Sequence, residues 1–334
     1  MSVVIFCGSV EALEHHSQVV TENMVAYFSP FTNDGGWRQK CEFAKRVRIE
    51  SLKRQFDCVL AFGDELSGLV CSRITSKVKA LHLHELPPKL AFRNKYISKT
   101  LFFEIVMLHF AIRRFRWVSQ VTPKRAEIFS RRFHVQCRNL FNFPPASFTS
   151  INLEKRENRR LRIIYVGSCN PISVQVSTLK VLCRSQKVEL SVLPTNTQGL
   201  EQLKNLRGIK VLDRVPYPEL PSLLQQFDVG LILYNGHSDN MRFGVPNKLA
   251  EYLRCGLHVV YHNALESVTE FVKVCKLNSM VHMLPQDVSR QVEYIETEVS
   301  ERVGQPVPDL SDLTFEQEYQ QFFEFLLSEK AAAN

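Results

Sequence analysis

One pattern, used twice, constrains this chain most. An apolar run ends in a glycine and gives way to a helical stretch, first at VVIFCG, closing on Gly8, and again at LRIIYVG, Leu161–Gly167. Such a run reads as a buried strand leading into a turn. Further short apolar runs follow each opening. The first half has FDCVLAFG (Phe56–Gly63), VKALHLHE (Val78–Glu85) and RWVSQVTP (Arg116–Pro123). The second half has KVELSVLP, IKVLDRVP, DVGLILYN and LHVVYHN. Helical stretches lie between them: Tyr96–Arg116, which holds no Gly or Pro, then KRAEIFSRRF, PELPSLLQQF and NKLAEYLRC. Strands alternating with helices imply parallel sheets covered on both faces. The expected fold is α/β, with two successive domains that each open on a strand and a glycine.

The stretch Asn142–Arg160, NFPPASFTSINLEKRENRR, breaks the pattern with two prolines and then polar and charged residues, and reads as a linker. A chain of 334 residues has room for two domains. The expected division is 1–150, 151–312 and a C-terminal helix, 313–334. In that last stretch Phe315, Tyr319, Phe322, Phe323 and Leu326 recur at spacings of three and four, a single helical stripe. The stripe either caps the second domain or crosses back to the first.

Charge is uneven. Up to Ser150 there are 22 Lys and Arg against 12 Asp and Glu; after it, 20 against 22. A basic first half invites a nucleic acid, a membrane surface or an anionic substrate. The nine cysteines are scattered with no Cys-x-x-Cys pair, so no zinc or redox motif is present. They point to buried thiols in a reducing, cytoplasmic compartment. The N-terminus lacks the basic region and apolar length of a signal peptide, and no apolar stretch is long enough for a transmembrane helix.

The chemistry concentrates in DVGLILYNGHSDNMRFGVPNKLAEYLRCGLHVV. Asp228–Asn235 reads as a buried strand and Gly236–Arg242 as a polar loop holding Asp239. Pro246 suits a helix start. Asn247 and Lys248 then fall in the first turn, where a lysine opposes the helix dipole. That arrangement suits a helix that binds a diphosphate through its N–H groups and the lysine together. Glu251, one turn on, could accept hydrogen bonds from a ribose. The alternative is a Lys248–Glu251 surface ion pair, worth little.

Pro246, Lys248, Glu251, Tyr252, Gly256, Val259 and Val260 together resemble the donor-binding segment of GT-B glycosyltransferases, especially the GT4-like group. RIIYVG, VPYPELPSLLQQFDVGLILY, WVSQVTPKRAEIF and NLFNFPP resemble flanking segments of that family. The resemblance covers the C-terminal half well and the N-terminal half faintly. It implies the GT-B architecture, two Rossmann-like domains facing across a cleft. It also implies a nucleotide-diphosphate-sugar donor on the second domain, a glycan or lipid-linked acceptor on the basic first domain, retention of configuration, and no cofactor. The absence of Asp-x-Asp fits a transferase that needs no metal. Gly8, Gly167, Ser168, Asp239, Arg242, Pro246, Asn247, Lys248 and Glu251 are the candidate donor contacts. The chain departs from the family in two places. Phe243 stands where many members have a second acidic residue, and the Arg and Lys that usually follow the C-domain glycine are missing. Ser168 and the more distant Lys180 are present instead, and Arg242 could replace one lost phosphate contact.

Strand alternation puts His82 and His84 on one face at the end of LHLHEL. His84 or Glu85 is the candidate to orient or deprotonate an acceptor hydroxyl; a structural histidine pair is the plainer alternative. His15 and His16 could face the same cleft or the solvent. Arg113, Arg114 and Arg116, with Lys124, Arg125, Arg131 and Arg132, are interleaved with Phe and Trp. They form either a solvated face or a contact for acceptor or anionic lipid. No RNA-stacking module, dinucleotide fingerprint or P-loop is present, so no nucleic-acid partner is expected. The functional expectation is glycosyl transfer. The alternatives are a GT-B-fold nucleotide-sugar epimerase, or a non-catalytic carbohydrate- or membrane-binding protein.

Overall fold

The computed structural model describes residues 3–7, 24–28, 37–53, 56–63, 65–87, 99–149, 160–197, 199–204, 206–305, 308 and 310–332; Gly8, His15 and His16 lie outside them. The chain divides into two units, Met1–Pro145 with Phe315–Asn334, and Ala146–Thr314.

Among the described residues the first unit has six strands: β1 (Val3–Cys7), β2 (Met24–Phe28), β3 (Phe56–Gly63), β4 (Ser76–Leu83), β5 (Trp117–Gln120) and β6 (Arg138–Asn139). All pair in parallel, in the order β2-β1-β3-β4-β5-β6. The helices between them are α1 (Trp37–Lys53), α2 (Glu65–Cys71), α3 (Lys99–Ala111) and α4 (Pro123–Phe133). The unbroken apolar run of β3 follows from burial on both faces. Val59 and Ala61 join a core with Val47, Leu66, Leu108 and Phe129 from the four helices. Cys58, Leu60 and Phe62 point the other way, into a core with Trp117, Phe315, Tyr319 and Phe322. The second face is therefore covered by the C-terminal helix, Phe315–Ala332.

The continuous helix expected over Tyr96–Arg116 is shorter. It ends at Ala111, and a 3₁₀ turn, Ile112–Arg114, tightens the exit. The turn sets Phe115 in extended backbone, so that the Arg116 N–H can donate to the Lys79 carbonyl of β4 (2.9 Å).

The second unit has β7 (Leu161–Gly167), β8 (Val188–Pro194), β9 (Ile209–Val211), β10 (Val229–Ile232), β11 (His258–Tyr261) and β12 (Val281–Met283). They are parallel, in the order β12-β11-β10-β7-β8-β9. The crossovers include α5 (Val176–Leu182), α6 (Leu220–Leu224), α7 (Asn247–Arg254) and α8 (Glu266–Val274), and α9 (Val288–Tyr294) follows the last strand. This is the Rossmann order. The winding reverses between β7 and β10, and in such sheets ligands bind outside the carboxyl ends of the strands at that reversal.

Candidate functional site

The carboxyl ends of β7 and β10 deliver two loops to the reversal point. The loop after β7 is stitched to the loop after β10. The Gln175 N–H donates to the Leu233 carbonyl (2.9 Å) and the Asn235 N–H to the Ser173 carbonyl (3.1 Å). The Asn235 amide donates to the Ile172 carbonyl (2.9 Å). Ser168 donates through Oγ to Asn196 (3.3 Å) and accepts from the Asn170 N–H (3.2 Å). Much of the polar backbone of this first loop is thus bonded within the protein.

The other donors lie at the start of α7. Pro246 is the N-cap, one residue before the helix, in extended backbone, and no side chain caps this end. Its carbonyl accepts from the Leu249 N–H (2.9 Å). The first-turn N–H groups of Asn247 and Lys248 have no partners within the helix, and proline offers none of its own. Asn247 and Lys248 occupy that turn, both half-buried. The helix ends on Gly256 at φ +75°, with its N–H on the Leu253 carbonyl and the Leu257 N–H on the Tyr252 carbonyl. A left-handed glycine closing a helix explains the Cys-Gly before the apolar run.

Packing fixes where this helix sits. Tyr252 is fully buried, and its hydroxyl accepts from the Val166 N–H of β7 (3.1 Å). Its ring crosses Gly230 of β10 so closely that a Cβ there would lie 2.4 Å from the ring. A glycine within a strand often marks such a close approach. In DVGLIL that signal was legible from the sequence.

Glu251 is only 4% exposed, which excludes the surface ion pair. Burial raises its pKa, opposed by the charge of Lys248 and by a hydrogen bond from the Tyr217 hydroxyl (3.4 Å). Tyr217 lies in a 3₁₀ turn, Tyr217–Glu219, and its ring packs on Phe148, with centroids 5.2 Å apart. Arg254, three residues beyond Glu251, donates to the carbonyls of Ala146 (2.8 Å), Phe148 (2.9 Å) and Leu310 (3.2 Å). Sequence reasoning singled out none of Tyr217, Phe148, Arg254 and Gly230.

The remaining candidates in this unit are dispersed. Asp239 opens a one-turn helix, Asp239–Arg242, capped by Ser238, whose Oγ accepts from the Met241 N–H (3.3 Å). The Arg242 guanidinium is held by Glu266 at the start of α8, with Nε 2.7 Å from Oε1. It is therefore already paired, and any phosphate contact would compete with Glu266. Gly167 ends β7 beneath the Tyr165 hydroxyl, which donates to the Ser168 carbonyl (2.5 Å).

In the first unit, His84 and Glu85 fall just past the end of β4. His82 is buried, with Nδ1 2.9 Å from Ser119 Oγ, and its ring meets His84 edge-on at 5.2 Å. The strand end is braced through its carbonyls: Arg125 donates to His84 (2.6 Å) and Gln120 to Glu85 (3.1 Å). Burial lowers the Arg125 pKa to about 10. His84 is half-buried and the Glu85 side chain is exposed. Arg113, Arg114 and Arg116 are exposed, and Phe110, just before them, is 72% exposed. Among the described residues, no group of three or more His, Cys, Asp or Glu is placed to hold a metal ion. No described helix is long and apolar enough to cross a membrane.

No family model matches the sequence, and no curated protein matches it as a relative. Solved structures do match, along nearly the whole chain. HepE of Anabaena, in complex with UDP and glucose, covers 98% of this chain and 99% of its own, at 14% identity and a TM-score of 0.69. Sucrose-phosphate synthase of Thermosynechococcus elongatus covers 99% and 100%, at 12% identity and 0.69. The UDP-GlcNAc 2-epimerase of Neisseria meningitidis, bound to UDP-GlcNAc, covers 98% and 100%, at 11% identity and 0.56. The two parallel sheets and the Rossmann order of the second unit, with these matches, define a GT-B fold.

Proposed function

We propose that the chain is a glycosyltransferase, moving a sugar from a nucleotide-diphosphate-sugar donor to a hydroxyl of a glycan or lipid-linked glycan. The observation that carries this reading is the helix α7. Its uncapped N-terminus bears Lys248, and it presents a buried carboxylate, Glu251, one turn on, beside the reversal point of a Rossmann sheet. An anion at the helix start and hydroxyl donors at a buried acceptor are what a ribose diphosphate supplies. HepE, of the same fold, is seen with UDP and glucose.

As the donor bond breaks, charge grows on the leaving diphosphate. Lys248 and the first-turn N–H groups offset that growth, which lowers the barrier rather than merely tightening binding. The reaction is of the retaining, metal-independent type that the GT4-like resemblance implies. The acceptor is taken by the basic first unit, where His84 or Glu85 orients or deprotonates its hydroxyl. Arg113, Arg114 and Arg116 beside exposed Phe110 support an anionic, cytoplasmic membrane face as the acceptor's setting. Sedimentation with anionic but not neutral vesicles is the measurement for that part.

The central test is thermal stabilisation of the full chain by UDP, ADP and GDP and their sugars, since a ligand of the folded state stabilises it by mass action. Stabilisation by one diphosphate is expected, together with acceptor-dependent loss of the sugar. Failure of every diphosphate to stabilise would overturn the reading. Conversion of the sugar without an acceptor would favour an epimerase, the second reading that the Neisseria match keeps in view. Stabilisation without turnover would leave a binding protein.

A further inference from the structure

We infer that Tyr217 is a positioning residue for Glu251: its hydroxyl aims the buried carboxylate at the donor, and Phe148 and Arg254 hold Tyr217 in place. The inference rests on the reading of Glu251 as the carboxylate that accepts the donor's ribose hydroxyls.

The residues form a closed circuit that returns to α7. Glu251 Oε1 accepts from the Tyr217 hydroxyl (3.4 Å). The Tyr217 ring lies against Phe148, itself 3% exposed, at 5.2 Å and 31°. The Phe148 carbonyl accepts from Arg254 Nε (2.9 Å), and Arg254 is on the same helix as Glu251. A second bond from Arg254, to the Ala146 carbonyl (2.8 Å), fixes the start of the same segment. The circuit joins residues 148, 217, 251 and 254, so it needs three separate parts of the second unit to be folded together.

Its chemical consequence follows from burial. A carboxylate taken out of water tends to protonate, and a protonated acid accepts hydroxyl hydrogen bonds poorly. The charged and titratable groups facing Glu251 are Lys248, Tyr217, Tyr252 and Cys255. Lys248 and Tyr217 both favour the ionised form, and burial opposes it. If Lys248 is engaged by the donor's diphosphate, the Tyr217 hydroxyl is the partner left to orient the carboxylate. A hydroxyl donor bonded to one carboxylate oxygen also limits rotation of the group, leaving the other oxygen directed for a ligand.

The test is equilibrium binding of UDP, ADP and GDP to the full chain across pH, in wild type, Tyr217→Phe, Glu251→Gln and the double variant. Tyr217→Phe keeps the ring on Phe148 and removes only the hydroxyl. It should weaken binding by about three- to tenfold, the low end for a bond to a carboxylate because this one is long, 3.4 Å. It should also move the acid limb of the binding profile to higher pH, because a group that favours the ionised form of Glu251 is gone. Glu251→Gln should abolish that limb, and Tyr217→Phe added to it should change little, since the two act as one unit. Phe148→Leu, which does not touch Glu251, should move the profile in the same direction as Tyr217→Phe. A merely structural tyrosine would lower the melting temperature and leave the acid limb in place, and that result overturns the inference. So does weakened binding in Glu251→Gln with no change in Tyr217→Phe. No change in Glu251→Gln, or no binding of any diphosphate, overturns the donor reading beneath it.

Discussion

Phe322 tests how the first unit is built. It is 2% exposed and packs edge-on against Trp117, with centroids 5.1 Å apart, in the core that also holds Leu60, Phe62 and Tyr319. Phe322→Ala removes a whole ring from a face that no other described helix covers. Substitutions of this kind cost about 3–5 kcal/mol, the lost transfer energy plus the cavity left behind. With a urea m-value of about 2 kcal/mol per M, the midpoint should fall by about 1.5–2.5 M. The assay is selective, because both tryptophans, Trp37 and Trp117, belong to the first unit. Tryptophan fluorescence therefore follows that unit alone, while stabilisation by a bound diphosphate reports on the second. The fluorescence midpoint should drop and the diphosphate response should persist. Gln321→Ala, exposed on the same helix, should stay within about 0.5 kcal/mol of wild type. An unmoved midpoint in Phe322→Ala would falsify the claim that the C-terminal helix completes the first unit's core.

Other outcomes are expected from the second unit. Lys248→Ala should lower turnover strongly while the melting temperature changes little, since relief at the helix N-terminus offsets loss of a charge that favours ionised Glu251; full activity would place the diphosphate elsewhere. Gly230→Ala puts a methyl 2.4 Å from the Tyr252 ring and should destabilise by about 1–3 kcal/mol in denaturant melts, with Tyr252→Leu as the partly relieving second change; a neutral Gly230→Ala would mean that α7 sits differently on β10. His258 and His282 stack in the core of the second unit, with Nδ1 and Nε2 3.0 Å apart. Burial, with the charges of His258 and Arg302, lowers the His282 pKa from 6.5 to about 4. A depressed pKa contributes stability that is complete above the unfolded value and is lost as pH falls from about 6.5 to about 4, here at most about 3 kcal/mol and less where solvent screens the ring. His282→Gln should flatten the melting temperature across that window, and an unchanged slope would refute the assignment.

Much of this architecture is legible in the chain read alone, and the reason is locality. A buried parallel strand needs an unbroken apolar run, so β3, β7, β10 and β11 announce themselves. A helix start that leaves its N–H groups uncapped and a glycine that ends the helix are also local, so α7 is readable within a residue. The stripe Phe315–Phe322 shows that one face of the last helix must be buried. Periodicity cannot say against what. Only the folded chain shows that stripe lying on the Cys58–Leu60–Phe62 face of β3, more than 250 positions away in sequence. The same holds at the candidate site. Sequence brings Lys248 and Glu251 to one helix face, but not the burial of Glu251, which turns an exposed-looking ion pair into a carboxylate that needs partners. Those partners, Tyr217 and, behind it, Phe148, come from separated segments, and their roles exist only once the second unit is folded. What a residue prefers is set by its neighbours along the chain; what it faces is set by contacts that close long loops, and those the tertiary structure alone decides.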